Sequence, residues 1–115
     1  MRKDDLVRIR HMLDAAREAR AFAKDKKRAD LDASRMLALS LIKSIEILGE
    51  AASKVTKEGR EAHPEIPWAD IVVTRNRLIH VYFDIDLDLV WYSVTDDLPP
   101  LIAALESVLH KEDTA

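Results

Sequence analysis

Residues 36–55 read MLALSLIKSIEILGEAASKV, and this stretch decides the fold. Its apolar residues cover almost the whole circumference of a helix, which we expect to begin near Asp32 or Ser34 and to end near Thr56. Only a narrow strip is polar, at helical spacings of three and four: Lys43, Glu46, Glu50, Lys54 and Lys57. A helix that is apolar nearly all round is buried nearly all round, and three partner helices of one small domain cannot enclose it. The pattern therefore predicts a homodimer with this helix near the interface, where Gly49 allows close backbone approach.

The composition of the whole chain favours an all-α fold. The 115 residues are 48% hydrophobic but only 5% aromatic. With two glycines and four prolines, the chain has few of the turn-forming residues that a many-stranded fold needs. We expect a single domain over residues 1–115, built as an antiparallel bundle of four to five helices. The chain has no cysteine and no apolar run of membrane-spanning length, which predicts a cytoplasmic protein with no membrane partner.

The other predicted elements flank the long apolar helix. Before it we expect a helix from Asp4 or Asp5 to about 26 and a charged connector at 24–30. After it we expect a loop at 59–67 and a helix that begins at Pro67. A last helix is capped near 84–86, has a kink or break at Pro99 and Pro100, and is followed by a frayed tail from 110. Of the remaining histidines, the sequence favours a solvated role for His11 and a structural role for His63.

Charge is distributed unevenly along the chain. Its net charge is −3, whereas residues 1–28 carry ten basic and five acidic side chains and residues 84–115 carry one and eight. A protein that coats nucleic acid is usually basic overall, so any RNA contact here must be local. The acidic C-terminal third could equally face a basic partner.

Residues 74–83, TRNRLIHVYF, hold the candidate chemistry. Arginine offers a planar cation that matches a phosphate, and histidine titrates near neutral pH. In an unbroken helix, Arg75 and His80 lie about 140° apart around the axis. For these two side chains to bind one phosphate, the helix must therefore end or distort near Ile79, or the site must be shared across a dimer axis.

Structural roles compete with these functional ones. His80 could cap a helix C-terminus, and Arg75 and Arg77 could pair with acids such as Asp70 or Asp84. Glu46 and Glu50 could orient catalytic groups, or could simply pair with Lys43 and Lys54 along their own helix. The run of aspartates at 84, 86 and 88 lacks the glycine and glutamate of a calcium loop, so we expect no calcium site there. We expect no other metal and no cofactor.

Residues 74–83 contain a sequence that resembles the Arg-x4-His-x-Tyr motif of the HEPN domain superfamily, in particular its HepT-like toxin branch. Arg75, His80 and Tyr82 match the motif, and Asn76 matches the polar residue that commonly follows its arginine. The resemblance extends along most of the chain through the segments 8–13, 45–51, 63–68, 82–84 and 97–101. Val81 departs from the pattern, because many relatives have glycine there and valine restricts the backbone.

The resemblance implies a metal-independent endoribonuclease toxin that dimerises to bring two motifs together. Arg75 would hold the scissile phosphate, Asn76 would help to position the RNA, and His80 would transfer protons. Separately from the resemblance, Arg77, Glu46 and Glu50 are candidates for supporting roles. The resemblance also implies a cognate nucleotidyltransferase antitoxin that transfers AMP to Tyr82, a higher assembly with that antitoxin, and no role for DNA. Two alternatives remain open from the residues: a non-catalytic binding or regulatory subunit of a nucleotidyltransferase complex, and a purely structural dimeric bundle.

Overall fold

The computed structural model describes residues 1–80 and 86–114, apart from the side chains of residues 79, 80 and 114. The described part is helical, with no strand. Its helices are α1 (Lys3–Ala23), α2 (Arg28–Ala33), α3 (Arg35–Ser53), α4 (Lys57–Ala62), α5 (Trp68–His80), α6 (Leu87–Tyr92) and α7 (Leu98–Thr114), with a π-helical turn at Ser93–Asp97 between the last two. The all-α prediction is confirmed, with α1, α3, α5 and α7 as the long helices. None of the described helices has the length and apolar character needed to cross a membrane.

Helix α1 lies between α3 and α7 and runs antiparallel to both. Near its start, Asp5 accepts a hydrogen bond from the backbone nitrogen of Thr56, beyond the end of α3, at 3.0 Å. On its other side, Arg17 pairs with Glu106 at 3.5 Å, while nearer the helix start Arg10 pairs with Asp113, further along α7, at 3.9 Å. Helix α5 packs on the opposite side of α3 from this pair. Helix α3 is therefore central, as its apolar sequence predicts.

The start of α3 is capped by Ser34, whose hydroxyl oxygen accepts a hydrogen bond from the backbone nitrogen of Leu37 at 3.1 Å. This selects Ser34 over Asp32 as the cap and satisfies one of the helix's free N–H groups. Not all of the apolar circumference is covered within the chain. An apolar strip at the α1–α3 edge remains exposed, namely Phe22, Met36, Leu39 and Ile47, with Met36 79% exposed.

Several predicted boundaries are wrong because short helices form where loops were expected. The charged connector ends at Arg28, where α2 begins, and Asp30 accepts a hydrogen bond from the backbone nitrogen of Lys27 at 2.8 Å. Within the predicted loop, α4 forms because the Thr56 hydroxyl oxygen accepts a hydrogen bond from the Gly59 backbone nitrogen at 3.1 Å. Local capping therefore suffices to close these single turns.

Asp4 or Asp5 was expected to cap α1, but both lie inside the helix. The cap position is Arg2, and Asp5 is buried, with both carboxylate oxygens accepting hydrogen bonds from Thr56. The residue thus joins α1 to the corner between α3 and α4. A buried carboxylate is stable there because hydrogen bonds replace its lost hydration.

The chain does not break at the two prolines, and its end is not a frayed tail. Pro99 and Pro100 lie in the first turn of α7, directly after the π-helical turn, and the helical backbone continues through them. Helix α7 then continues to Thr114, and Glu112 lies 3.0 Å from the buried His63 ring. The hydrogen bond with His63 holds the pKa of the Glu112 carboxyl below its ordinary value. His63 therefore joins α7 to the segment before α5.

Candidate functional site

An open groove of about 380 Å³ runs along α3 between α1 and α5, and we call it the basic groove. Its lining residues are Arg8, His11, Lys43, Glu46, Ile47, Glu50, Ala51, Lys54 and Arg75. Three helices contribute to it, and seven of its nine lining side chains are charged or are histidine. It is therefore shaped and charged to hold an anion.

Gly49 sets how closely α5 approaches the groove. A Cβ atom added at Gly49 would lie 2.4 Å from the Cβ atom of Arg75 and 2.5 Å from its Cγ atom. Both contacts are shorter than real Cβ atoms show, so only glycine permits this helix crossing. Close approach at Gly49 was predicted at a dimer interface, but in the structure it occurs between α3 and α5 of one chain.

The Arg75 side chain is held in a fixed direction by two neighbours. One terminal nitrogen donates to Glu50 at 2.7 Å and the other donates to the Asn76 side-chain oxygen at 3.2 Å. Its Nε atom is buried and has no hydrogen-bond partner among the described residues, and the side chain is 26% exposed. Arg75 is therefore a pre-oriented cation at the wall of an open groove, the arrangement that a phosphate site requires.

The two glutamates of α3 line the same groove but make different contacts. Glu50 bridges Arg75 and Lys54, the latter at 3.4 Å. Glu46 pairs with Lys43 of its own helix at 3.7 Å, the intrahelical pairing that the spacing allows. Glu50 thus orients Arg75 directly, while Glu46 contributes charge to the groove.

Arg77 lies in a different place from Arg75. It lines a second groove, of about 550 Å³, between α5 and the segment from α6 to α7, together with Glu65, Asp70 and Asp97. Burial, and then the charges of Asp96 and Asp70, raise the pKa of the Asp97 carboxyl. Arg77 forms no ion pair among the described residues. The structure therefore separates Arg77 from Arg75 and Asn76.

The backbone of α5 is helical through His80. In the described part of the chain α5 extends one residue past Ile79, and positions 75 and 80 lie about 140° apart around its axis. The His80 side chain, Val81 and Tyr82 lie outside the described residues, as does Asp84.

Comparison with known proteins decides the family. Residues 12–108 match the family described as "Ribonuclease HepT-like". The chain belongs to the HepT-like ribonuclease family. The resemblance drawn from the motif of residues 75–82 is confirmed.

Curated relatives of this HepT-like chain come from archaea and bacteria. A Methanocaldococcus jannaschii protein named "Putative RNase" is 35% identical over 97 residues, which are 84% of this chain and 89% of that protein. Another from the same organism, named "Gamma-glutamylcyclotransferase and putative RNase", is 34% identical over 98% of this chain, which spans 51% of that protein. "Probable ribonuclease HepT" of Thermococcus cleftensis is 36% identical over 60% of this chain and 63% of its own length. No solved structure matches the HepT-like chain.

The two residues that α1 contributes to the basic groove were not predicted as site residues. His11 was expected to be solvated, yet His11 and Arg8 both line the groove that contains Arg75. The sequence could have indicated this pair, because a spacing of three places Arg8 and His11 on one helix face and because an arginine on an apolar side keeps its charged end at the surface. Their proximity to Arg75 depends on how α1 and α5 both pack on α3.

Proposed function

We propose that this HepT-like chain is a metal-independent endoribonuclease of the cytoplasm, with Arg75, Asn76 and His80 at its centre. The observation that carries the proposal is the orientation of Arg75 by Glu50 and Asn76 in the wall of the basic groove. Family membership and the motif spacing support it. In this role Arg75 binds the scissile phosphate and stabilises the negative charge that develops on it.

The proposed reaction uses the RNA's own 2′-hydroxyl as nucleophile. A base removes its proton, the 2′-oxygen forms a bond to phosphorus, and the bond from phosphorus to the 5′-oxygen breaks. An acid then protonates the departing 5′-oxygen, which leaves a cyclic phosphate. His80 supplies one of these proton transfers because imidazole both accepts and donates near neutral pH.

The proposal also includes a homodimer that brings two motifs together. The exposed apolar strip at the α1–α3 edge supplies its surface, and this strip meets the basic groove at Ile47. A site shared between copies would satisfy the angular condition set by positions 75 and 80 of α5.

We expect Met36→Asp to convert the dimer to a monomer, because a carboxylate at the centre of an apolar interface loses its hydration. Sedimentation analysis should give twice the 13.1 kDa chain mass for the wild type and the single chain mass for the variant. Tyr92→Asp is the matched control, since Tyr92 is also exposed, at 56%, but lies on α6. A monomeric wild type, or a dimer that survives Met36→Asp, would contradict this interface.

The proposed cellular role is that of a toxin, neutralised by a cognate nucleotidyltransferase antitoxin that transfers AMP to Tyr82. A bulky anion two residues from His80 would block the site and repel RNA phosphates. The acidic residues 84–115 could provide part of the surface for this partner.

Growth arrest tests this role. Induction of the wild-type chain should stop growth and cleave cellular RNA, whereas His80→Ala at matched soluble expression should do neither. His110→Ala, far along α7, serves as the matched histidine control. Co-expression of the antitoxin should restore growth and add the mass of AMP to the peptide that contains Tyr82. Arrest and RNA cleavage by His80→Ala equal to wild type would reject the catalytic assignment.

A further inference from the structure

Arg8 differs from the other arginines of α1 in what it contacts. Arg10 and Arg17 pair with carboxylates of α7, and Arg20 donates to the backbone oxygen of Val94 at 3.3 Å. Arg8 is half-buried in the wall of the basic groove and forms no ion pair among the described residues. Its charge is therefore directed into the groove without a protein anion to neutralise it.

The carboxylates of the groove are already engaged by other cations. Glu46 pairs with Lys43, and Glu50 is shared by Arg75 and Lys54. Four permanent cations line the groove, Arg8, Lys43, Lys54 and Arg75, against these two carboxylates, which leaves a net charge of +2 in a chain whose total is −3. Such a local field attracts an anion although the protein as a whole is acidic.

The groove is also long enough for more than a single phosphate. Its α3 wall extends from Lys43 to Lys54, about 16 Å of helix rise. Arg75 approaches this wall from α5, whereas Arg8 approaches it from α1 on the other side. His11, one turn after Arg8 on the same face of α1, adds a ring nitrogen that can donate a hydrogen bond.

We propose that Arg8, assisted by His11, forms a second phosphate subsite that binds the backbone of the same single-stranded RNA whose scissile phosphate lies at Arg75. This inference rests on the proposed ribonuclease function and adds a binding role on a different helix. Among the described residues no Phe, Tyr or Trp side chain lines the groove, so we infer that the subsite contacts phosphate rather than stacked bases. Binding through it is therefore indifferent to base sequence.

The test measures RNA binding separately from cleavage. A fluorescent single-stranded oligonucleotide with 2′-O-methyl groups cannot be cleaved by its own 2′-oxygen, and its anisotropy gives the Kd over a series of salt concentrations. We expect Arg8→Ala to weaken binding about fivefold to tenfold at low salt. We also expect it to reduce the slope of log K against log salt by about 0.7, the value for one phosphate contact on a single strand.

Arg10→Ala is the matched control, because Arg10 lies on the same helix but faces α7. It should leave both the Kd and the salt slope unchanged. Arg8→Gln keeps most of the aliphatic stem and should reduce the salt slope by the same amount even if Arg8→Ala disturbs packing. His11→Ala should weaken binding with a smaller change in that slope. Circular dichroism confirms that each variant is folded.

The outcomes separate the two proposals. Weaker binding and a reduced slope in Arg8→Gln support the subsite, whether or not the wild type cleaves RNA. Arg8 variants that bind like Arg10→Ala would overturn the subsite and leave the nuclease proposal intact. A wild-type chain that does not bind the oligonucleotide would overturn the subsite as well.

Discussion

Arg75→Ala is expected to lower the rate of RNA cleavage by about a hundredfold to a thousandfold, the loss typical when a group that stabilises transition-state charge is removed. The guanidinium is fixed by Glu50 and Asn76 before substrate binds, so no reorganisation is needed when negative charge develops on the phosphate. Initial rates on a fluorogenic RNA, measured at saturating substrate, would quantify the loss. Arg75→Lys should recover only a small part of the rate, because an ammonium cannot reproduce the planar bidentate contact.

Arg77→Ala is the control for charge and for helix α5. It removes the same side chain two residues further along, but from the second groove, where Asp70 and Asp97 lie. We expect its cleavage rate to stay within about threefold of wild type, a difference under 1 kcal/mol. Equal losses in both variants would mean that general positive charge on α5, rather than the held Arg75 side chain, is what cleavage requires.

The long helices could be predicted because their apolar residues recur at helical spacing in the sequence. Residues 36–55 predict a central helix, and α3 is central, packed on one side by α1 and on the other by α5. The short helices α2 and α4 could not be predicted in this way, since six residues contain less than two turns of periodicity. They depend on single capping contacts, such as the one from Gly59 to Thr56.

The candidate site was predictable in part for the same reason. Arg75 and Asn76 are adjacent in sequence, and the motif identifies them without knowledge of the fold. The contact between Arg75 and Glu50 spans 25 positions, and Arg8 and His11 come from a third helix. Contacts between side chains of different helices depend on how the helices cross, and residue spacing within one helix does not specify that.

The packing of α1 also explains how an acidic protein holds a basic groove. Its N-terminal segment is rich in arginine, and α7 carries the acids that pair with Arg10 and Arg17 on one side of α1. These ion pairs neutralise the charges of Arg10 and Arg17. Arg8, on the groove side, keeps its charge for a ligand, so the uneven charge distribution along the sequence becomes a local positive field.

Gly49→Ala is the second change for which we expect a large effect. Alanine is the better helix former by about 1 kcal/mol, so an open site on α3 would gain stability from the substitution. Here the new Cβ atom would lie 2.4 Å from the Cβ atom of Arg75, close to the α5 backbone, where a side-chain rotation cannot relieve the clash. We expect α3 and α5 to be forced apart, at a net cost of about 1–3 kcal/mol in the free energy of unfolding.

Gly59→Ala separates lost stability from lost function in the same experiment. A Cβ atom there would lie 2.6 Å from a carboxylate oxygen of Asp5, so this variant should also unfold more readily, but at a corner away from Arg75. Denaturant unfolding gives the stability of each variant, and cleavage is compared per folded molecule. Gly49→Ala should lose most of its cleavage because Arg75 is displaced from Glu50, whereas Gly59→Ala should retain it. Full cleavage and wild-type stability in Gly49→Ala would show that the crossing of α3 and α5 does not need glycine and does not hold Arg75 in place.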